Sequence, residues 1–354
     1  MKGILQNCIL LLLLFAVTSC LSKMNQTKND GDSTIRIIFE TDMGNDIDDA
    51  LALDMLYKYQ DAGDIELLGI MTNKNSEYSA AFIDQMNNWY GYPEIPIGIV
   101  RNGADSEHDA VNYTQHVALM KDEQGATLFP QSITDTQLLM DAHILYRKLL
   151  AAQPDHTVTV VSVGFSTNLA RLLESQPDRY SPLTGKELVS KKVKLLSMMA
   201  GCFNKEDQLE YNVMKDVPAA KKVFEEWPTP VVTSPFEVGI QIQYPGQSIE
   251  QDFHWAPKHP MIEAYKVYLK MPYDRPTWDL TSVLYAVEGS SFFDTSSPGS
   301  VLVSEKGTSF VADEEGDRYY LSVDSLQAEA IRHHFIKIIT RQPAPRRSGQ
   351  ALRV

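Results

Sequence analysis

A short turn near the start of the chain carries five acidic side chains within ten residues. They are Glu40, Asp42, Asp46, Asp48 and Asp49. The apolar stretch 35–39 before the turn is typical of a strand, and the apolar pattern that follows from residue 51 is typical of a helix. Like charges about 4 Å apart repel by roughly 1 kcal/mol in water and about 4 kcal/mol at a protein surface. Because a bound cation would remove this cost, the turn predicts a site for a hard, oxygen-preferring metal ion.

Length and composition indicate the size of the domain that carries this turn and the classes of partner it could bind. The chain has 354 residues, of which 44% are hydrophobic and 22% charged, which is enough for one large α/β domain or two smaller ones. Its formal net charge of −14 argues against a nucleic-acid polymer as partner, because binding a phosphate backbone requires a basic surface. Small neutral ligands and bound cations suit this balance better.

The first residues predict an export signal rather than part of the fold. Lys2 is followed by the apolar run Ile9–Val17, and small residues lead to Cys20. Nine apolar residues are too few for a lasting membrane-spanning helix. The segment resembles a bacterial lipoprotein signal, which implies cleavage before Cys20 and lipid on its sulfur. A plain secretory peptide is the alternative. The expected location is the bacterial cell envelope, on the periplasmic face or the cell surface, with lipid as the only contact with the membrane.

These features predict four regions along the chain. Residues 1–19 are the expected signal peptide, 20–34 a polar lipidated tether, 35–340 the folded domain and 341–354 a loose basic tail. Cys8 would leave with the signal and Cys20 would carry lipid, so Cys202 would remain as a buried, inert thiol without a disulfide partner.

Strand-like and helical patterns alternate through the predicted domain. The predicted strands are 65–72, 157–163, 193–199 and 230–233, and the predicted helices between them include 78–90, 138–152 and one capped by Ser166, Thr167 and Asn168. This order predicts an α/β fold with a mainly parallel, Rossmann-like sheet and helices on both faces. Three short late strands, 300–303, 308–312 and 318–323, predict a small antiparallel appendage near the C-terminus.

Ligands of open parallel sheets bind outside the carboxyl ends of the strands, which is where the acidic turn falls. Other polar residues follow predicted strands and could converge on the same edge. They are Asn168, Asn204, the triplet Glu210-Tyr211-Asn212 and Asp279.

Four blocks of the sequence, in order, resemble the inosine-uridine nucleoside hydrolase family over roughly residues 35 to 330. They are the acidic turn from Glu40 to Leu51, Gly164-Phe165-Ser166-Thr167-Asn168-Leu169-Ala170, Met199-Ala200-Gly201, and Glu210-Tyr211-Asn212-Val213 with Asp216-Val217-Pro218-Ala219-Ala220, after which comes Asp279.

The resemblance implies a Ca²⁺-dependent enzyme that hydrolyses the bond between ribose C1′ and a nucleobase nitrogen. By position, Asp42 would be metal ligand and general base, Asp48 and Asp49 would supply further ligands, and Asp279 and the carbonyl of Val163 would complete the set. Ca²⁺ takes six to eight oxygens, and the lack of clustered His and Cys disfavours zinc. A small nucleoside or riboside substrate, purine or pyrimidine salvage and a homo-oligomer are also implied.

The same resemblance assigns residues to the substrate. Glu210 and Asn212 match positions that hold the 5′ side of the ribose, and Met199 matches one that packs near the sugar. Asn75 is a candidate ribose contact, and Asp46 is a further candidate on the substrate side of the turn.

The chain departs from the family pattern at three places. Glu40 replaces the usual aspartate, and Asn45 and Asp46 lengthen the turn, which leaves open which of its acids meets the metal. Trp278 stands where the family has a histidine that helps to protonate the departing base. An indole cannot supply that proton, although it can stack on a nucleobase.

Two other functions fit parts of the pattern. A Ca²⁺-containing ribosyl-binding lipoprotein without turnover is the alternative that Trp278 suggests. A haloacid-dehalogenase-type phosphatase is disfavoured because Glu40 occupies the position where that chemistry needs a nucleophilic aspartate.

Overall fold

The computed structural model describes residues 34–104, 112–205 and 207–343. The predicted signal peptide, Cys20, almost all of the predicted tether and most of the predicted tail lie outside these residues, so those predictions stay predictions. None of the helices in the described ranges is long and apolar enough to cross a membrane.

A mostly parallel sheet forms the centre of the domain. Its strands, in chain order, are β1 (Ile35–Thr41), β2 (Ile65–Thr72), β3 (Ile97–Ile99), β4 (Met140–Asp141), β5 (Val158–Ser162), β6 (Val193–Met199), β7 (Val231–Ser234), β10 (Asp294–Thr295), β11 (Gly299–Ser304), β12 (Gly307–Ala312) and β13 (Arg318–Ser322). The spatial order is β12-β11-β13-β7-β6-β5-β1-β2-β3-β4, with β10 beside β13. Strands β8 (Gln243–Tyr244) and β9 (Arg275–Pro276) form a separate antiparallel pair.

Strand β1 lies in the interior of this sheet because its side chains are apolar toward both faces. Its residues Ile37, Ile38 and Phe39 are fully buried, and it pairs in parallel with β2 on one side and β5 on the other. A strand covered by helices on both faces reads as a continuous apolar run, as this one does. The predicted fold class is therefore confirmed.

The helices cover both faces of the sheet. They are α1 (Asp48–Ala62), α2 (Ser79–Tyr90), α3 (Tyr113–Ala118), α4 (Ala142–Ala151), α5 (Thr167–Glu174), α6 (Gly185–Lys192), α7 (Tyr211–Lys215), α8 (Val217–Glu226), α9 (Phe236–Gly239), α10 (Gly246–Gln251), α11 (Pro260–Tyr268), α12 (Trp278–Glu288) and α13 (Ser325–Ile339). Short 3₁₀ turns occupy Thr136–Leu138 and Gly289–Phe292. Helix α12 packs against both α1 and β6, which brings the late part of the chain to the carboxyl edge of the sheet.

The predicted appendage is present, but it is continuous with the central sheet. Strands β11 and β12 pair antiparallel, whereas β13 pairs in parallel with β7. Arg318, at the start of β13, fixes this junction, because its guanidinium donates to the carbonyls of Phe224 and Trp227 at 2.8 and 2.7 Å.

Two local predictions are wrong. The predicted helix 138–152 begins only at Ala142, because Met140 and Asp141 pair with β3 and extend the sheet. The apolar side chains before Ala142 resemble a helical face, yet Leu138 is 82% exposed. Ser166 does precede α5, but its side chain makes no capping hydrogen bond.

The ordered domain extends past the predicted boundary at residue 340. The Lys58 ammonium, buried in α1, donates to the carbonyl of Arg341 at 2.6 Å, and the Arg341 guanidinium donates back to the carbonyl of Lys58. Arg341 is therefore part of the fold rather than of a loose tail.

Candidate metal and active site

The acidic turn connects β1 to α1 at the carboxyl edge of the sheet. Asp48 and Asp49 lie in the first turn of α1, and each is only 1% exposed. Partial positive charge at a helix N-terminus favours carboxylates there, but by itself it compensates little of the cost of burying two of them.

Asp279, from the first turn of α12, meets this pair. One carboxylate oxygen from each of Asp48, Asp49 and Asp279 lies within 4.8 Å of the others. The backbone N–H of Asp279 donates to Asp48 Oδ2 at 3.1 Å, and the Thr41 hydroxyl donates to Asp49 Oδ1. The structure thus brings together residues that the sequence could place only at the same edge.

These three carboxylates fit a divalent cation. Burial raises the pKa of Asp48, Asp49 and Asp279 well above the usual value, and the neighbouring carboxylates add to the shift. Among the described residues, hydrogen-bond donors reach one oxygen of Asp48 and one of Asp49, and none reaches the carboxylate of Asp279. Buried oxygens with so few donors are suited to a hard metal ion.

Asp42 lies beside this cluster and is 3% exposed. Burial raises its pKa to about 7, and the Lys74 ammonium opposes the shift. The Asn45 amide donates to Asp42 Oδ2 at 3.1 Å. A carboxylate with a pKa near neutrality is suited to accept a proton at physiological pH.

Gly164 leaves the space that Asp42 needs. A Cβ at this position would lie 2.7 Å from the backbone nitrogen of Asp42 and 2.8 Å from its Oδ1. It would also lie 2.5 Å from Asn73 Oδ1, which is buried without a hydrogen-bond partner in the described part of the chain. Only glycine permits this approach of the two loops.

The turn itself is fixed by residues from other elements. Gly44 has φ +106, and its N–H donates to the Tyr113 hydroxyl at 2.8 Å. That hydroxyl donates in turn to the carbonyl of Asp46 at 2.8 Å, and the Lys74 ammonium donates to the carbonyl of Gly44 at 3.2 Å.

Asp46 does not join the three clustered carboxylates. Arg275, in β9, donates from Nε to Asp46 Oδ1 at 2.8 Å and from Nη2 to Oδ2. Asp46, which lengthens the turn, therefore pairs with Arg275. Asp48 and Asp49 cluster with Asp279 instead.

The carbonyl of Val163, at the end of β5, accepts a hydrogen bond from Asn212 Nδ2 at 3.2 Å. The same amide nitrogen lies 3.1 Å from both the carbonyl and the sulfur of Met199. Asn212 thus positions two of the residues that the sequence assigns to the site.

Glu210 is the N-cap of α7. Its carboxylate accepts backbone N–H bonds from Gly201 at 3.0 Å, Asn212 at 2.8 Å and Val213 at 3.2 Å. Burial raises its pKa to about 7, against the effect of these bonds. Its two oxygens therefore hold the loop between β6 and α7 in place.

Glu40 lies fully buried under the turn. It accepts hydrogen bonds from the Tyr146 hydroxyl at 2.7 Å and from Asn73 Nδ2 at 3.3 Å, and burial raises its pKa to about 7. It links β1 to helix α4 and to the residue that follows β2, and a carboxylate engaged in this way does not suit a phosphatase nucleophile.

Trp278 precedes Asp279 and is partly buried. Its indole N–H donates to the carbonyl of Phe236 at 3.0 Å, and its ring stacks on the Phe236 ring with centroids 5.5 Å apart. The indole donor is therefore already used within the protein.

Sequence reasoning missed several contacts of the site. Asn73 lies buried beside Asp42, whereas Asn75 is exposed and its expected contact with ribose stays a prediction. Asn73 directly follows β2 at the carboxyl edge, which is a signal that could have identified it. Tyr113 and Arg275 carry no such signal, because they reach the turn from distant segments.

Comparisons with known proteins agree with this geometry. Residues 37–335 match the model of the inosine-uridine preferring nucleoside hydrolase family. No curated protein matches the chain.

Several solved structures share the fold. A plant nucleoside hydrolase has a TM-score of 0.65 and 19% identity, and the match covers 87% of this chain and 99% of that one. An inosine-uridine preferring nucleoside hydrolase from Bacillus anthracis has a TM-score of 0.63 and 16% identity, covering 86% and 100%. A purine-preferring ribonucleoside hydrolase from Gardnerella vaginalis has a TM-score of 0.65 and 17% identity, covering 86% and 98%. Because the family model spans most of the chain, the protein belongs to the inosine-uridine preferring nucleoside hydrolase family.

Proposed function

We propose that the protein hydrolyses the N-glycosidic bond of ribonucleosides or related N-ribosides, with Asp42 as general base. The observation that supports this proposal is the position of Asp42 beside the buried cluster of Asp48, Asp49 and Asp279. A base and a group of metal ligands side by side are what a hydrolytic attack on a sugar carbon needs.

We propose Ca²⁺ as the cation, held by Asp42, Asp48, Asp49, Asp279 and the carbonyl of Val163. When bound, the ion supplies polarisation of the attacking water and binding of the ribose hydroxyls. The all-oxygen donor set supports Ca²⁺ over zinc.

The protein groups have separate tasks in this proposal. Asp42 accepts the proton of the attacking water at Oδ1, since Asn45 already donates to Oδ2. The carboxylates around it favour the positive charge that develops on the sugar in the transition state.

Sugar release tests the function. The protein with Ca²⁺ is incubated with inosine, uridine and p-nitrophenyl riboside, and the reducing sugar is measured. We expect release that is lost in Asp42→Asn and kept in Asp155→Asn, which alters an exposed aspartate paired with Lys192. Binding of these compounds without sugar release at any pH would support a ribosyl-binding protein instead, an alternative that no contact among the described residues of the site favours.

We propose in addition that the protein is a lipoprotein anchored through Cys20 in the bacterial cell envelope. The N-terminal sequence pattern supports this, and the Cys20→Ser variant tests it. We expect the intact protein to partition into the detergent phase and to incorporate labelled fatty acid, and the variant to do neither. Cys202→Ser is the matched control, and equal partitioning of all three proteins would refute the anchor.

A further inference from the structure

The rim of the acidic site is formed by groups that do not belong to the ligand cluster. The three clustered carboxylates are 1 to 4% exposed, whereas the side chains of Asp46 and Arg275 are 23% and 21% exposed. Tyr268 and Trp278 next to them are also partly exposed. A riboside whose sugar reaches the buried carboxylates must therefore direct its base toward this rim.

Arg275 is held on the rim in a defined orientation. Its Nε and Nη2 face the two oxygens of Asp46, and its guanidinium carbon lies 5.2 Å from the centre of the Tyr268 ring and 5.5 Å from that of the Trp278 ring. Two flanking rings and a bidentate carboxylate restrict the guanidinium to one plane.

This orientation leaves one nitrogen for a ligand. Within the described ranges, Nη1 of Arg275 donates no hydrogen bond to the protein. Burial disfavours the charged guanidinium, but the Asp46 carboxylate outweighs that effect and raises the pKa of Arg275 further. Arg275 therefore stays cationic and acts through its charge rather than by giving up a proton.

The pair depends on the extra length of the acidic turn. Asp46 is one of the two residues that lengthen the turn, and it meets Arg275 across 229 positions of sequence. Trp278, in contrast, uses its N–H on the carbonyl of Phe236. The chain thus supplies a cationic donor close to the place where Trp278 cannot act as an acid.

We propose that Arg275, oriented by Asp46, stabilises the negative charge of the departing base in the hydrolysis proposed above. As the C1′–N bond breaks, its electron pair moves to the base, and Nη1 of Arg275 donates a hydrogen bond to the resulting anion. The attacking water adds its oxygen to C1′ and gives one proton to Asp42. The base takes up a proton from solvent after it leaves, and Asp42 returns its proton to water, so the products are ribose and neutral base.

The proposal rests on the hydrolytic function, and the test uses two leaving groups. Inosine releases a poor leaving group that needs stabilisation, whereas p-nitrophenyl riboside releases nitrophenolate, which is stable without help. For Arg275→Ala we expect kcat/KM to fall about 100-fold or more with inosine and less than tenfold with the nitrophenyl compound. Arg275→Lys keeps the positive charge but loses the planar guanidinium, and Asp46→Asn keeps the arginine but removes the carboxylate that orients it. For both variants we expect a kcat/KM with inosine between those of wild type and Arg275→Ala.

The ratio of the two substrates makes the result independent of how much protein is folded, since both are measured on one preparation. Arg36→Ala is the matched control, because it removes an arginine–glutamate pair at the opposite edge of the same sheet. If the wild type is active and Arg275→Ala loses kcat/KM equally with both substrates, the proposed role of Arg275 is wrong but the hydrolytic function stands. A wild type that releases sugar from neither substrate overturns the hydrolytic function and this inference together.

Discussion

The backbone N–H of Asp279 donates a 3.1 Å hydrogen bond to Asp48 Oδ2, which joins the first turns of two helices that lie 231 residues apart in the chain. The N-termini of α1 and α12 therefore point at the same cluster of carboxylates. Two helix dipoles with their positive ends at one place reduce the repulsion among these acids, although they cannot replace a cation.

The first prediction concerns this cluster. Asp279→Ala is expected to weaken Ca²⁺ binding by about 100-fold or more, because it removes a charged ligand from the buried set. Titration calorimetry measures the affinity, with Asp155→Asn as the control for loss of an aspartate elsewhere. Unchanged Ca²⁺ affinity in both Asp279→Ala and Asp42→Ala would contradict the ligand assignments.

The second prediction concerns Asn212. Its amide fixes the carbonyls of Val163 and Met199, so Asn212→Ala should lower Ca²⁺ affinity by about 10- to 100-fold and destabilise the fold by about 1 to 3 kcal/mol. The control is Asn88→Ala, which removes an amide bonded to the carbonyl of Asp84 within α2. If the two variants bind Ca²⁺ equally well, Asn212 does not position the carbonyl of Val163 for the metal.

The third prediction concerns Gly164. In Gly164→Ala the new methyl group would overlap Asp42 and Asn73, so these loops must separate, and we expect sugar release to fall by about 100-fold. Gly63→Ala is the comparison, since nothing lies within 4 Å of its Cβ and only its positive φ opposes the change. That variant should lose about 1 kcal/mol of stability and keep its activity. Full activity in Gly164→Ala would show that the loops do not need to approach so closely.

The fourth prediction concerns pH and Glu210. Burial raises the folded-state pKa of Glu210 to about 7, from 4.5 for an exposed glutamate. Between these values the folded state keeps a proton that the unfolded state releases, so Glu210 lowers the free energy of unfolding as pH rises from 4.5 to 7. The effect is at most about 3 kcal/mol.

In Glu210→Gln this contribution disappears, and the unfolding free energy should fall less steeply over the same pH range. Denaturant titrations of both proteins at several pH values measure the two slopes. Parallel curves for wild type and variant would mean that Glu210 titrates as an exposed residue.

The sequence predicted the layers of the fold because strands buried on both faces leave continuous apolar runs, as in β1. It failed at residues 138–141, where apolar residues form a 3₁₀ turn and an edge strand that share the composition of a helix face. The local sequence pattern cannot distinguish a helix from an edge strand here, because pairing with β3 determines that Met140 and Asp141 form a strand.

Some residues of the candidate site could likewise be predicted from sequence, and others could not. Asp48, Asp49 and Asp279 could be selected because they follow strands or open helices at one edge of the sheet. The pairing of Asp46 with Arg275 and the use of the Trp278 N–H by Phe236 depend on contacts between distant segments, which spacing does not encode. Spacing does not separate Asn73 from Asn75 either, because only the folded chain shows that Asn73 is buried and Asn75 exposed.

The mutual hydrogen bonds of Lys58 and Arg341 limit how the protein can be shortened. A chain cut at residue 340 would leave the Lys58 ammonium without its carbonyl acceptor, in a place that water does not reach. Lys58 belongs to the same helix that begins with Asp48 and Asp49, so trimming the far end would disturb the helix on which the acidic site is built. A shortened chain should therefore keep Arg341.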